Sequence, residues 1–290
     1  MINILVTGAN GQLGREIRTL APTFPLFNFY FASREELDLG NKQKMLGLFR
    51  RSGFNYCINC AAYTAVDKAE SEAELTHEIN VTGTKNLAEC CALLNVILLH
   101  FSSDYVYHNA KNYPILETDF TQPQGVYAKT KLESETVAAQ AQPQTMILRT
   151  SWVYSSFGNN FVKTMLRLSK EKSEINVVFD QIGAPTYARD IGLFVLTLLQ
   201  KVEKGEVNKD ELYRVFNYCN SGVASWFDVA QAVFYFKKIT CAVRPIRSDA
   251  YPTAASRPPF SVLDTTKIRL TFGIDIPYWR DSLEKCLQLL

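Results

Sequence analysis

The stretch INILVTGANGQLG, residues 2–14, places a short β-rich run directly before a loop with glycines at every third position. Gly8, Gly11 and Gly14 carry no side chain, so the loop can turn sharply and its backbone can approach a phosphate. A helix starting near Gln12 would direct its N-terminal N–H groups and positive dipole end at the same anion. Glycines also recur in ordinary turns, but this position between a strand and a helix favours a dinucleotide pyrophosphate site. We expect the cofactor to contact Gly8, Asn10, Gly11, Gln12 and Leu13.

The rest of the first half repeats this strand-then-helix order, which predicts a parallel sheet with helices on both faces. The predicted strands are residues 2–6, 27–32, 56–60, 96–101 and 145–148, and the predicted helices are residues 12–21, 42–52, 72–94 and 127–140. From about Thr150 the order is less regular and prolines are more frequent. We therefore predict an α/β fold with a Rossmann-type, doubly wound parallel sheet in residues 1–150. Residues 151–290 should form a smaller, interleaved, mainly substrate-binding domain that returns segments to the first.

Composition narrows the class of protein. With 47% hydrophobic and 21% charged residues, the 290-residue chain is expected to be globular. The net charge of +2 includes no basic block, so we expect no nucleic-acid partner. The seven cysteines lack the spacing of a secreted scaffold, and we find neither a signal segment nor an apolar stretch that could span a bilayer. The sequence thus predicts a cytoplasmic protein without a membrane partner, and a homodimer is compatible with it.

The end of the second predicted strand should decide which nicotinamide cofactor is used. An acidic residue there would bind the adenosine ribose of NAD, whereas an arginine would meet the 2′-phosphate of NADP. Arg34 favours NADPH over NADH, although a solvated loop charge is the simpler alternative. Asp38 and Leu39 follow, and they could lie near the adenine or begin the next helix.

Tyr127 and Lys131 are spaced i, i+4, which places them on one face of the predicted fourth helix. A nearby ammonium stabilises a phenolate, and we expect it to bring the pKa of the Tyr127 hydroxyl closer to neutral. Tyr127 is then a candidate general acid. The pattern is common by chance, but its position after the fourth strand–helix repeat favours a catalytic role.

Polar residues follow the fourth predicted strand, at the sheet edge where ligands of open α/β folds bind. Ser102, Ser103 and Asp104 lie there, and either serine could polarise a carbonyl or simply fix the strand end. The three histidines, His77, His100 and His108, are not clustered, which disfavours a histidine base or a metal site.

Taken together, these motifs resemble the extended short-chain dehydrogenase/reductases and, more narrowly, the dTDP-4-dehydrorhamnose reductase family. The narrower resemblance runs nearly end to end and rests on CAAYTAVDKAE (60–70), SSDYVY (102–107), RTSWVY (149–154), GNNFV (158–162), DQIGAPT (180–186), SWFDVA (225–230) and ASRP (255–258). It implies that Ser103, Tyr127 and Lys131 are the catalytic set.

The same resemblance implies roles for further residues. Cofactor contacts are expected at Ala61, Ala62 and Tyr63, together with Tyr127 and Lys131. Contacts with the deoxysugar nucleotide are expected at Val66, Asp67, Ser103, Asp104, Tyr105 and Trp152. Two simpler alternatives stay open, because Trp152 could belong to the core and Asp67 could cap the following helix.

The chain also departs from the family pattern. Ser103 replaces the more frequent threonine but keeps the hydroxyl, and His108-Asn109 replaces a usual Asp-Gly. Some members bind magnesium through interface glutamates. Glu16 matches one of these, but Asp190 replaces another and no third is evident near Leu290, so we do not predict magnesium.

The resemblance implies that NADPH or NADH reduces the C4 keto group of dTDP-4-dehydro-L-rhamnose to give dTDP-L-rhamnose, a precursor of cell-surface polysaccharide. Two alternatives remain at this point. A nucleotide-sugar epimerase or 4,6-dehydratase shares the glycine loop and the Tyr–Lys pair, but dehydratases usually have a second acid where Tyr105 follows Asp104. A non-catalytic module like the regulatory β-subunit of methionine adenosyltransferase is the other alternative.

Overall fold

The structure is a computed structural model that describes residues 1–108 and 112–290, so Asn109 lies outside the described residues. Its strands are β1 Ile2–Thr7, β2 Phe27–Ala32, β3 Tyr56–Asn59, β4 Ile97–Ser103, β5 Thr145–Thr150, β6 Val153–Tyr154, β7 Glu174–Val178, β8 Ile182–Gly183, β9 Thr186–Tyr187, β10 Val215–Asn217, β11 Ala224–Ser225 and β12 Ala242–Ile246. Six of these form one parallel sheet in the order β10-β5-β4-β3-β1-β2. The predicted α/β class with a parallel sheet is confirmed.

The helices cover both faces of this sheet and build the C-terminal region. They are α1 Gln12–Leu20, α2 Lys42–Ser52, α3 Val66–Ala69, α4 Ala73–His77, α5 Gly83–Leu93, α6 Gly125–Ala141, α7 Phe161–Glu171, α8 Ala188–Glu203, α9 Trp226–Lys237, α10 Thr266–Phe272 and α11 Trp279–Leu287. The predicted third helix is α4 and α5 joined by a π-helical segment, Glu78–Thr82. Across the described residues, no helix is long and apolar enough to cross a membrane.

Alternation of side chains along the strands creates two cores, one on each face of the sheet. On one face Val6 packs with Ile17 of α1 and Val195 of α8. On the other face Leu5 packs with Phe49 of α2, in a cluster that also contains Cys57. All seven cysteines carry free thiols. The strands are therefore buried from both sides, which leaves their carboxyl ends as the exposed edge where a ligand can reach backbone groups.

The chain after β5 contributes to the same sheet. β10 pairs in parallel with β5, with Val215 opposite Ile147, and α8 packs against α1. Helices α7, α9 and α11 instead share a separate core that includes Val233 and Leu283. A domain boundary at residue 150 stays a prediction.

The direction of the chain in the sheet reverses at the centre. From β1 it moves outward to β2, and β3 then lies on the other side of β1, followed by β4 and β5. In open α/β sheets such a switch point leaves a crevice between the carboxyl ends of the two central strands. The crevice here lies between the ends of β1 and β3.

Candidate active site

Two adjoining clefts lie along the carboxyl edge of the sheet. The outer cleft, of about 530 Å³, runs from Gly8 to Arg34 and Asp38, and the central cleft, of about 610 Å³, runs from Leu13 past Tyr127. The residues that line the outer cleft include the predicted Gly8, Asn10, Gly11, Arg34, Asp38, Leu39, Ala61, Ala62 and Tyr63. The residues that line the central cleft include the predicted Gln12, Leu13, Val66, Ser103, Asp104, Tyr105, Tyr127, Lys131 and Trp152. Of the predicted site residues, Asp67 alone lines neither cleft.

The glycine loop is packed so closely that side chains would not fit. Gly8 has φ +61°, and a Cβ on it would lie 2.6 Å from the backbone of Cys60 and Ala61. A Cβ on Gly14 would lie 2.6 Å from the carbonyl oxygen of Gly8. Gly11 precedes α1 without any side-chain cap, so the first N–H groups of the helix are available to an anion. This cradle fits a dinucleotide pyrophosphate at the switch point.

The far end of the outer cleft is formed by the loop after β2. Arg34 is exposed there, and the neighbouring Glu35, which lines the same cleft, and Glu36 accept hydrogen bonds from the Ser33 hydroxyl and backbone N–H, both at 2.7 Å. Those bonds hold the pKa of each carboxyl below its usual value. Asp38 accepts a hydrogen bond from the Gly40 N–H. The loop thus presents the Arg34 guanidinium to the cleft beside the Glu35 carboxylate, whose oxygen is engaged by Ser33.

Asn80, which was not among the predicted site residues, connects the outer cleft to α6. It is buried in the π-helical segment, where its side-chain oxygen accepts a hydrogen bond from the Tyr63 N–H at 2.8 Å. Its amide donates to the hydroxyl of Thr130 at 3.2 Å, and Thr130 donates to the carbonyl oxygen of Tyr127. The extra residue of a π-helical turn is a frequent feature of functional sites, but the sequence contains no marker for it.

The polar residues after β4 form a buried hydrogen-bonded group. The Ser103 hydroxyl donates to Asp104 at 3.0 Å and accepts from the Tyr105 N–H at 3.3 Å. The second carboxylate oxygen of Asp104 has no hydrogen-bond partner among the described residues. Burial raises the pKa of Asp104 to about 6, although the nearby hydroxyls of Ser261 and Ser103 oppose that rise. Ser103 is thereby held at the cleft wall with its oxygen close to Tyr127.

Tyr127 and Lys131 both face the central cleft from α6. Burial raises the pKa of Tyr127 to about 12, with a hydrogen bond to Ser103 acting against it. The expectation that the ammonium lowers this pKa toward neutrality is therefore wrong, because desolvation of the phenolate outweighs the other effects. A phenol that stays protonated at neutral pH still has the proton that a general acid must donate.

Lys131 is almost fully buried, and its ammonium donates a hydrogen bond to the carbonyl oxygen of Phe101 at 2.7 Å. Burial lowers its pKa to about 8, which the carboxylate of Glu135 partly opposes. Glu135 also forms a bidentate ion pair with Arg149 of β5, at 2.6 and 2.9 Å. This pair fixes α6 against the sheet and so holds Tyr127 and Lys131 in position at the cleft.

His100 lies below the site and has a structural role. His100 is buried and bonded through its ring nitrogens to Asn59 at 3.1 Å and Ser134 at 2.9 Å. Burial and the charge of Lys131 lower its pKa well below the ordinary range, so the ring is neutral. Its contacts are those of a structural residue beneath the site.

Asp67 forms an ion pair with Arg257, which the sequence did not indicate. Its carboxylate receives two hydrogen bonds from the Arg257 guanidinium, at 3.1 and 2.6 Å, and one from the Ala255 N–H. These contacts hold the pKa of Asp67 below its usual value. The pair joins α3 to the segment before residue 260, so in this structure Asp67 acts as a tether beside the cleft.

Glu16 and Asp190, the positions that the family resemblance connects with an interface metal, both contact protein groups, although one carboxylate oxygen of Glu16 has no hydrogen-bond partner among the described residues. Glu16 accepts a hydrogen bond from the Ser155 hydroxyl at 2.6 Å and lies 3.6 Å from the Arg189 guanidinium. Asp190 accepts hydrogen bonds from Ser282 and Asn220. Residues 1–108 and 112–290 contain no group of three His, Cys, Asp or Glu side chains placed to hold a metal. The residues present do not fit a magnesium site within one chain, and the expectation of no magnesium stays a prediction.

Comparison with known proteins gives one consistent result. The family model described as RmlD substrate binding domain matches residues 2–290. A dTDP-4-dehydrorhamnose reductase of Aggregatibacter actinomycetemcomitans is 39% identical, with 98% of each chain covered. A crystal structure of a dTDP-4-dehydrorhamnose reductase from Clostridium acetobutylicum superimposes with a TM-score of 0.93 at 37% identity, covering 99% of both chains. The enzyme of the same name from Bacillus anthracis, solved in complex with NADP, has a TM-score of 0.93 at 33% identity and full coverage of both chains.

Proposed function

Because the chain belongs to the RmlD family of dTDP-4-dehydrorhamnose reductases, we propose that its central cleft is where the C4 keto group of dTDP-4-dehydro-L-rhamnose is reduced. The protein is an NAD(P)H-dependent oxidoreductase of nucleotide-sugar synthesis. One observation carries the assignment of the site. Ser103, Tyr127 and Lys131 line a single cleft that adjoins the glycine cradle at the switch point of the sheet.

The cofactor, when bound, supplies a hydride to the carbonyl carbon. The fit of the outer cleft to a dinucleotide rests on the absent side chains of Gly8 and Gly14 and on the uncapped start of α1. With the pyrophosphate at that helix end, a dinucleotide has the reach to extend into the central cleft beside Tyr127.

Three side chains then stabilise or neutralise the negative charge that develops on the sugar oxygen. Tyr127 donates its phenolic proton to the forming alkoxide, which yields the C4 hydroxyl of dTDP-L-rhamnose. Ser103 turns its hydroxyl from Asp104 toward the same oxygen and stabilises it by a hydrogen bond. Lys131 stabilises the phenolate left on Tyr127, and its ammonium also suits a ribose hydroxyl of the cofactor.

A preference for NADPH over NADH is the finer part of the proposal. The exposed guanidinium of Arg34 supports it, since it lies where the 2′-phosphate of the adenosine would be placed. A relative solved with NADP is consistent with this choice.

The alternatives have less support. A dehydratase is disfavoured because Tyr105, and not a second acid, follows Asp104. A purely regulatory module is disfavoured because the whole catalytic set lies in one cleft.

The compartment and assembly are further proposals. The seven free thiols support a reducing compartment such as the cytoplasm. The proposal also includes a dTDP-sugar as the substrate, a homodimer without magnesium, and no nucleic-acid or membrane partner. It further includes a division of the chain near residue 150.

The test is an absorbance assay in which the purified protein is mixed with dTDP-4-dehydro-L-rhamnose and either NADPH or NADH. The loss of reduced-nicotinamide absorbance is measured in each reaction. We expect consumption that falls by about 100-fold or more in Tyr127→Phe. Tyr235→Phe, an exposed tyrosine on α9, serves as the matched control and should match the wild type. Wild-type protein that is folded and binds NADPH but consumes none of it would overturn the proposal.

A further inference from the structure

Two tryptophans from distant parts of the chain form one stack in the wall of the central cleft. The indoles of Trp152 and Trp226 lie 3.6 Å apart with an angle of 5° between their planes. Trp152 lies two residues after the end of β5, whereas Trp226 is the first residue of α9. Both line the same cleft as Tyr127.

The backbone at Trp152 is strained, and neighbouring groups hold it in that state. Its φ of +46° lies in the left-handed region, which is unfavourable for a bulky residue. The carbonyl oxygen of Trp152 accepts a hydrogen bond from the Thr186 N–H at 3.2 Å, and the next residues pair with β9. Such strain persists only where surrounding contacts determine the conformation, and it is concentrated at functional sites.

Because Gly183 has no side chain, the Trp152 indole can pack directly against its backbone. A Cβ on Gly183 would lie 2.5 Å from Cε2 of that indole, which is far closer than side chains pack. Gly183 also lies opposite Ala224 in the antiparallel pair of β8 and β11, two residues before Trp226. One short strand pair therefore brings both contacts to Trp152.

Trp226 is itself fixed on other sides. Its ring contacts Phe161 at a centroid distance of 4.7 Å, and its indole N–H donates to the side-chain oxygen of Gln181 at 3.2 Å. Gln181 in turn donates to the Ser248 hydroxyl. The helix that carries Trp226 begins with a complete capping box at Ser225 and Asp228. Trp226 is thus a rigid support with little freedom to move.

We propose that Trp226 and Gly183 are positioning residues that hold the Trp152 indole as the wall against which the reacting deoxysugar packs. The inference rests on the proposed function. Trp152 lines the same cleft as Ser103 and Tyr127, so its indole forms part of the wall around the reacting carbonyl. Trp226 stacks on the indole and Gly183 packs against it, which leaves the remaining apolar surface of the ring to contact C–H groups and the C6 methyl of a 6-deoxy sugar. That contact favours 6-deoxy sugars over hexoses with a polar C6 hydroxyl.

The experiment compares Trp226→Leu, Trp226→Phe and Gly183→Ala with the wild type. Tyr235→Leu is the matched control, because it removes an exposed aromatic ring from the same helix. We measure kcat and KM for the keto sugar, and the Kd of NADPH by fluorescence. In Trp226→Leu and Gly183→Ala the KM should rise about three- to tenfold, the range expected when one aromatic pair is lost. The kcat and the Kd of NADPH should stay within about twofold of wild type.

Trp226→Phe keeps a ring in the stack, and we expect it to recover most of the KM. An unchanged KM in both Trp226→Leu and Gly183→Ala would overturn the inference while leaving the reductase assignment intact. An equal rise in the Kd of NADPH would also overturn it, because the effect would then be general loosening. Wild-type protein without turnover would instead overturn the proposed function and this inference with it.

Discussion

Replacing Lys131 by methionine should make the protein more stable and almost inactive. Burial lowers the pKa of Lys131 from 10.5 to about 8. Since one pH unit of pKa corresponds to about 1.4 kcal/mol, the charged ammonium costs the folded state about 3 kcal/mol. Methionine removes the charge with similar volume, but the Phe101 carbonyl loses a hydrogen bond worth about 1 kcal/mol. The free energy of unfolding at pH 7 should therefore rise by about 2 kcal/mol.

The pH dependence gives this prediction a second test with a defined sign. The pKa of a lysine in the unfolded chain is about 10.4. Between pH 8 and 10 the unfolded wild type therefore binds more protons than the folded protein. The contribution of Lys131 to the free energy of unfolding of the wild type therefore becomes more favourable as the pH rises. The stability difference between Lys131→Met and wild type should be full below pH 8 and shrink as the pH increases to 10.

The assay is urea unfolding of the cofactor-free protein at several pH values, with NADPH oxidation measured in parallel. Lys129→Met is the matched control, because Lys129 is exposed on the same helix and should change stability by less than about 0.5 kcal/mol. A Lys131→Met protein less stable than wild type at pH 7, or a difference that does not vary with pH, would refute the reasoning.

Three further predictions concern the cofactor and metals. Gly8→Ala should raise the Kd of NADPH at least about tenfold, because its Cβ would meet the Cys60–Ala61 backbone at 2.6 Å; calorimetric binding that is unchanged would contradict the cradle. Arg34→Ala should weaken NADPH about tenfold in a fluorescence titration and leave NADH unaffected, since a phosphate–guanidinium contact is lost only with NADPH; equal effects on both would rule out 2′-phosphate recognition. Extensive dialysis against EDTA should leave NADPH oxidation unchanged, because Glu16 and Asp190 are engaged by protein groups; activity restored only by magnesium would show a metal role.

The features that could be predicted from the sequence are those set by local pattern. The glycine spacing at residues 8–14 and the alternation of apolar runs gave the first five strands of the sheet and the α/β class. The i, i+4 spacing of Tyr127 and Lys131 likewise requires only that α6 be a helix. Such features depend on neighbours in the chain, so they are readable from it.

What could not be predicted depends on contacts between distant residues. The pairing of β10 with β5, the Asp67–Arg257 ion pair and the Trp152–Trp226 stack each join segments more than 60 residues apart in sequence. The raised pKa of Tyr127 had the same origin, because the sequence shows the neighbouring lysine but not the burial that outweighs it.

The place of β10 in the central sheet has a consequence for synthesis of the chain. About 217 residues must be synthesised before the last strand of the sheet is complete. Until α8 has also been synthesised, the side of α1 that packs against α8 stays exposed. During that interval the nascent chain carries an open β5 edge, which is a template for pairing with other chains. A fragment that stops near residue 150 would keep that edge permanently, so truncation there should yield aggregates and not a free-standing nucleotide-binding unit.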